Sequence, residues 1–186
     1  SGRHRYYRLT SPQVHAVLEA LAPLAAEEPV RSLRQSTRAS ALRAARTCYD
    51  HLAGRLGVAV TQALVSREVL VATDGIQDTR RRPGDRLSSQ LPTHPYQLGP
   101  SAVAVLTDLG VPPLALSSGK SGRRRPLLRF CLDWSEQRHH LAGRLGAELL
   151  AAFLSAGWIE RSEQHRALRL TDTGSRELHA RLGAGI

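Results

Sequence analysis

The hexapeptide Leu52-Ala53-Gly54-Arg55-Leu56-Gly57 returns letter for letter as Leu141-Ala142-Gly143-Arg144-Leu145-Gly146. Six consecutive identities within 186 residues mark two stretches built to one supersecondary plan. Aligned on it without a gap, Val60 meets Leu149, Leu64 meets Phe153, Val65 meets Leu154, Val69 meets Trp158 and Leu70 meets Ile159. Apolar side chains pair with apolar ones throughout. Each copy then runs into a strand ending in leucine and a short helix. These are Tyr96-Gln97-Leu98 with the segment to Leu109, and Leu168-Arg169-Leu170 with the segment to Leu182. The predicted plan is helix, hairpin, helix, and the fold class is α+β, mostly α.

Residues 3–9 alternate basic and aromatic side chains, as an exposed strand does. Thr10 or Ser11 then caps a helix with Pro12 at its first position and Val14, Val17, Leu18 and Leu21 on one face. A second helical pattern starts near Thr37. It carries Leu42, Ala45, Cys48, Tyr49, Leu52 and Leu56 on one face and continues, with a break around Gly54 and Gly57, into a helix through Val60, Leu64 and Val65. Residues 74–95, rich in Asp, Gly, Arg and Pro, predict a long mobile loop. Residues 112–126 predict a linker and residues 127–132 a buried strand. Asp133-Trp134-Ser135-Glu136 has capping-box spacing. A long helix is expected directly after it, through Leu141, Leu145, Leu149, Leu150, Phe153 and Leu154, and ended by Gly157. His139 and His140 would then sit at an exposed helix start. Residues 158–161 and 167–170 predict a hairpin, and Thr171-Asp172-Thr173-Gly174 caps a last helix.

The net charge of +10 rests almost wholly on arginine, since Lys120 is the sole lysine. Such a surface attracts polyanions, nucleic acid first among them. No apolar run approaches the ~18 residues of a membrane span. Two cysteines, Cys48 and Cys131, make no closely spaced framework, which points to a reducing cytoplasm. The chain holds no methionine and opens on Ser1-Gly2-Arg3-His4-Arg5 as though in mid-domain. A fragment lacking its natural N-terminus is expected.

Three residues separate Cys48 from His51, so on a helix they share a face where thiolate and imidazole can hold a soft divalent metal. Cys131 with His139 or His140 adds further donors. Against this stand small buried core cysteines and a thiol redox switch, and there is no ligand-rich cluster such as Cys-x-Cys. No cofactor and no metal site is therefore assigned, and Cys48, His51 and Cys131 are kept as candidate ligands only. Asp50 and Asp133 close two Cys-x-Asp motifs. An acid/base role competes there with a helix cap for Asp133 and with ion pairing of Asp50 to Arg43, Arg46 or Arg55. The arginine triplets at 80–82 and 123–125 fall in loops, facing DNA phosphates or solvent. No nucleophile with an adjacent base, phosphate-cradling loop or dinucleotide fingerprint is present, so no enzyme is expected.

Gly2-Arg3-His4-Arg5-Tyr6-Tyr7-Arg8-Leu9 resembles the end of the wing in bacterial ArsR-type winged helix-turn-helix repressors. There a glycine turns the hairpin, basic residues line the returning strand, and Tyr-x-Leu packs on the core. The helix from Ser11 to Ala26 is similar to that family's C-terminal dimerisation helix. Cys48-Tyr49-Asp50-His51-Leu52-Ala53-Gly54 and Cys131-Leu132-Asp133-Trp134-Ser135 resemble the C-terminal extension of one ArsR-like subfamily. The recognition helix of the family would lie before Ser1. The resemblance implies the C-terminal part of a cytoplasmic, homodimeric transcription repressor that binds DNA through the parent protein. Arg3, His4, Arg5 and Arg8 would touch phosphates or the minor groove, and Val14, Val17, Leu18 and Leu21 would form the dimer contact. Effector sensing is implied without naming the effector, and no membrane partner is expected. The alternative is a ligand-binding or protein-interaction module with no direct DNA contact. The expected division is a winged-helix remnant at 1–28 and tandem winged-helix-like units at 29–115 and 116–186.

Overall fold

A computed structural model describes residues 11–21, 33–86, 90–116, 125–162 and 165–183. Two helices lead, α1 (Pro12–Leu21) and α2 (Leu33–Ala44). The first repeat follows as β1 (Arg46–Cys48), β2 (His51–Ala53), α3 (Gly54–Ser66), β3 (Leu70–Ala72), β4 (Tyr96–Leu98) and α4 (Ala102–Asp108). After the short α5 (Pro113–Leu116), the second repeat runs β5 (Arg129–Leu132), β6 (His139–Ala142), α6 (Gly143–Ser155), β7 (Ile159–Arg161), β8 (Leu168–Leu170) and α7 (Asp172–Leu182). The strands form antiparallel hairpins, β1 with β2, β3 with β4, β5 with β6 and β7 with β8. The fold is α+β, with winged-helix-like units of helix, hairpin and helix. Helices α3 and α6, and strands β3 and β7, start and stop at matching positions of the gapless repeat.

The hexapeptide earns its recurrence through its glycines. Gly54 and Gly143 take φ of +78° and +75° where strand turns into helix, a conformation glycine adopts without a Cβ clash. A Cβ there would lie 2.8 Å from Arg43 O and 2.8 Å from Leu127 O. One turn on, a Cβ at Gly57 or Gly146 would meet the carbonyl oxygen of Leu52 at 2.5 Å or of Leu141 at 2.7 Å.

Three sequence expectations are corrected here. Residues 46–53 do not continue a helix. Arg46, Thr47 and Cys48 pair with Ala53, Leu52 and His51 across a tight turn at Tyr49-Asp50, and Tyr49 takes a φ of +59° that ends helical continuation. Asp133 does cap, but it caps a turn. Its Oδ1 accepts from Ser135 N at 2.9 Å and Glu136 N at 3.3 Å, and the chain then enters β6 instead of a helix. His139 and His140 are consequently buried strand residues, not an exposed helix start. The expected cap of the last helix forms, with Gly174 N donating to Thr171 Oγ1 at 2.9 Å.

Each repeat's central helix packs on the other repeat's leading hairpin, α3 against β6 and α6 against β2. Leu141 N donates to Thr61 Oγ1 at 2.9 Å. Backbone bonds cross as well, with Thr47 N to Arg166 O at 2.9 Å, Leu168 N to Ala45 O at 2.9 Å and His139 N to Thr79 O at 2.7 Å. Leu64, Leu70, Leu106, Phe130, Leu145 and Phe153 belong to one apolar cluster through both repeats. Each such side chain contributes roughly 1.5–3 kcal/mol by leaving water. The described part of the loop, residues 74–86 and 90–95, is tied down. Arg82 Nε donates to Asp74 Oδ2 at 2.6 Å and Arg82 Nη2 to Ile76 O at 2.9 Å, while Thr79 and Leu91 are buried.

Candidate functional site at the seam between the repeats

Strand register sets Cys48 opposite His51 in the first hairpin and Cys131 opposite His140 in the second. Each repeat thus offers one thiol and one imidazole across a strand pair. The crossed packing brings the pairs together, with one ligating atom from each of the four residues within 4.8 Å of every other. All four residues are buried, and neither cysteine is in a disulfide. The imidazoles of His51 and His140 stack at 5.2 Å with an interplanar angle of 29°. Ala53 and Ala142, both fully buried, pack with the two cysteines in a small cluster of their own.

The polar surroundings are asymmetric. His51 Nδ1 lies 3.3 Å from Asp50 Oδ1, and Asp50 is also ion-paired with Arg125. Burial alone would lower the His51 pKa, but the Cys48 sulfur and the Asp50 carboxylate reverse this and push it up to about 9. Asp50 titrates below the ordinary carboxylate range. Burial opposes this, but bonds from His51 and Arg125 outweigh it. His51 Nε2 and both ring nitrogens of His140 are buried and reach no nitrogen or oxygen partner within hydrogen-bond distance. Uncompensated burial of such groups is costly.

Asp133 does different work. Arg46 Nη2 donates to both its oxygens at 2.8 Å, and Gly54 N donates to Oδ2 at 2.7 Å. The Arg46 guanidinium also covers the Trp134 ring at 4.5 Å. Asp133 Oδ2 stands 3.6 Å from His140 Nδ1. Burial would raise its pKa, yet the cationic neighbours hold it down to about 2. Asp50 therefore pairs with Arg125, and Arg46 belongs to Asp133. His139 turns away from the cluster, with Nε2 2.7 Å from Asp85 Oδ2 and Nδ1 2.8 Å from Tyr96 Oη. Burial pushes its pKa down.

Of the other sequence candidates, Arg3, His4, Arg5 and Arg8 lie outside the described residues. Val14, Val17, Leu18 and Leu21 lie on α1 and are 41–59% exposed. In the arginine triplets, Arg80, Arg82 and Arg125 are held by Asp78, Asp74 and Asp50, and Arg81 bonds Asp85 O. Arg123 and Arg124 lie outside the described residues. An apolar cleft of about 550 Å³ opens beside α2 and the β7–β8 hairpin, lined by Ala41, Ala44, Leu56, Leu168 and Leu170 among others. No helix among the described residues is long and apolar enough to cross a membrane.

No family model and no solved structure matches the chain. A comparison with curated proteins does find a relative. The chain is 36% identical over 173 residues, 93% of its own length, to the uncharacterized HTH-type transcriptional regulator YdfF of Bacillus subtilis (strain 168). The chain is homologous to an HTH-type transcriptional regulator. It spans 66% of that relative's length. The matched stretch covers so much of this chain that it must take in most of the two repeats, so the paired hairpins belong to the shared part. His140 is the seam residue that sequence spacing did not single out from its neighbour. The available signal was the letter before each hexapeptide, which is histidine in both copies (His51 and His140).

Proposed function

We propose that this chain is the C-terminal part of a bacterial DNA-binding transcriptional regulator of ArsR type. The observation that carries the reading is the 36% identity to an HTH-type regulator over nearly the whole chain. The relative's greater length is consistent with an operator-reading segment outside these residues. In this reading α1 supplies the dimer contact. Its exposed residues Val14, Val17, Leu18 and Leu21 follow the i, i+3, i+4, i+7 spacing of a helix face that wants a partner. Arg3, His4, Arg5 and Arg8 supply contacts to the DNA backbone, and the paired repeats form an effector-responsive body in the cytoplasm. Several loop arginines are already engaged within the chain, which leaves the N-terminal basic segment as the better phosphate contact.

Fluorescence anisotropy with duplex DNA at rising salt tests the DNA contact. Weak binding that falls steeply with salt is expected, and replacing Arg3 and Arg5 by alanine should lessen the slope. Absence of binding at low salt would remove direct DNA contact from this chain. Sedimentation tests the dimer. Leu18→Asp should shift a dimer to monomer, and a wild-type chain that stays monomeric at high concentration would remove that contact.

The second reading is a ligand-binding or interaction module that never touches DNA. The apolar cleft beside α2 favours it, because its volume falls in the range of small-molecule sites.

A further inference from the structure

We propose that Cys48, His51, Cys131 and His140 form a tetrahedral site for a soft divalent cation of the zinc class, clamping the two repeats together. The inference goes beyond the regulator reading and stands whether or not the chain binds DNA. Four observations carry it. The donor set is two sulfurs and two imidazoles, the set of closed structural zinc sites. Bonds of 2.3 Å to sulfur and 2.0–2.1 Å to nitrogen put tetrahedral donors roughly 3.3–3.8 Å apart. The present spread, at most 4.8 Å, therefore closes by about 1 Å at its widest pair. His51 Nε2 and both ring nitrogens of His140 are buried and lack nitrogen or oxygen partners, and a metal bond to one nitrogen of each ring lessens that cost. Finally, Asp50 already holds Nδ1 of His51, the carboxylate support that orients a metal-ligating imidazole through its other nitrogen.

A bland core would explain two buried cysteines, but not two stacked histidines beside them with three buried ring nitrogens that lack nitrogen or oxygen partners. All four positions of the tetrahedron are filled by the protein, so the site is structural and leaves no position for a substrate. Binding displaces the protons of the thiols and of any protonated ligating imidazole to solvent, so the sulfurs bind as thiolates and the imidazoles as neutral rings. Because each repeat donates one cysteine and one histidine, the ion would be shared equally across the seam.

The test is cobalt titration of the chelator-stripped, reduced 186-residue chain. Expected are the intense visible bands of four-coordinate Co(II) with sulfur-to-cobalt charge transfer, saturating at one ion per chain and displaced by zinc. Cys131→Ser and His140→Ala should each weaken binding by at least about a hundredfold, since loss of a mere supporting residue costs about 10–100-fold. His140→Cys should keep one-to-one binding and add charge-transfer intensity, so the proposal stays testable even if the serine variant fails to fold. A weak six-coordinate spectrum for the wild type, sub-stoichiometric uptake, or unchanged affinity in folded Cys131→Ser would overturn it.

Discussion

The two leading hairpins share a frame and differ at their tips. In the first, Tyr49 and Asp50 alone join the strands, and Asp50, about one-third exposed, lies between buried His51 and half-buried Arg125. In the second, six residues from Asp133 to Arg138 join them, and Asp133 folds inward under Arg46 and Gly54 N. The Cys-x-Asp motif is thus written twice and used in two ways. One carboxylate supports a histidine and meets Arg125 part-way out of the core, while the other is fully buried in a bidentate tie to Arg46. Equal spacing in sequence does not make equal surroundings, because loop length decides which way the carboxylate turns.

Removing each carboxylate sets the comparison at its sharpest. Asp133→Ala strands a fully buried guanidinium, and breaking one side of a buried pair costs about 3–5 kcal/mol. Asp50→Ala breaks an ion pair with Arg125 between side chains about one-third exposed, where such pairs contribute about 0–1 kcal/mol. It also removes a single 3.3 Å contact to buried His51 Nδ1, so its loss should be the smaller. Urea unfolding of both variants, under metal-free conditions, should show that difference in midpoint. Equal losses would mean that the two motifs are equivalent after all.

The wings differ too. Tyr96 in β4 occupies the position that Leu168 takes in β8. Burial raises the Tyr96 pKa to about 12, against about 10 in an unfolded chain. The neutral phenol is the form the fold holds, so its contribution is complete below pH ~10 and is lost as pH rises towards 12. Alkaline unfolding curves should fall by a few kcal/mol over that window. Tyr96→Phe, wild-type-like in shape, should flatten the fall, and an unchanged curve would assign it elsewhere.

Where the repeats agree, the same change should act on both. A Cβ at Gly57 or Gly146 meets a backbone carbonyl that cannot swing away. Each alanine variant should lose about 1–3 kcal/mol. At Gly146 the new methyl also lies 3.1 Å from His51 Cβ across the seam. Its damage should therefore cross the seam to the other repeat's hairpin and shift the His51 ring resonances, whereas the nearest contacts of a Cβ at Gly57 all lie on Leu52 in its own repeat.

The parts of the fold legible in the sequence are those fixed by local spacing. Helices α3 and α6, the β7–β8 hairpin and the Thr171 cap depend on neighbours within a few residues. The hairpin at 46–53 was not legible. Its turn holds no glycine or proline, and Leu52 and Leu56 also suit a helical face. Asp133-x-x-Glu136 misled for a related reason, since an aspartate that receives nearby amide protons serves a turn as well as a helix. At the seam, spacing could suggest Cys48 with His51, and it put Cys131 near two histidines. Only strand register separates them, facing His140 to Cys131 and sending His139 to Tyr96. The Arg46–Asp133 tie joins residues distant in sequence, and no local pattern announces it.

The smallest expected effect tests the repeat at the end of its central helix. Gly157 follows α6 with φ of +67°, and at the matching place after α3 the chain has Glu68 with φ of +55°. Glycine takes that conformation freely, whereas a residue with a Cβ pays roughly 1–2 kcal/mol. No described contact of the Glu68 side chain offsets this cost, while its backbone receives Ser101 N at 3.4 Å. Glu68→Gly should therefore stabilise the protein by up to about 1 kcal/mol, the added freedom of the unfolded glycine taking back part of the gain. The reverse change, Gly157→Glu, should lose a similar amount. If thermal unfolding shows Glu68→Gly neutral or harmful, the glutamate carries an interaction in the first repeat that its partner lacks. The two helix ends would then be specialised, as the two hairpin tips are.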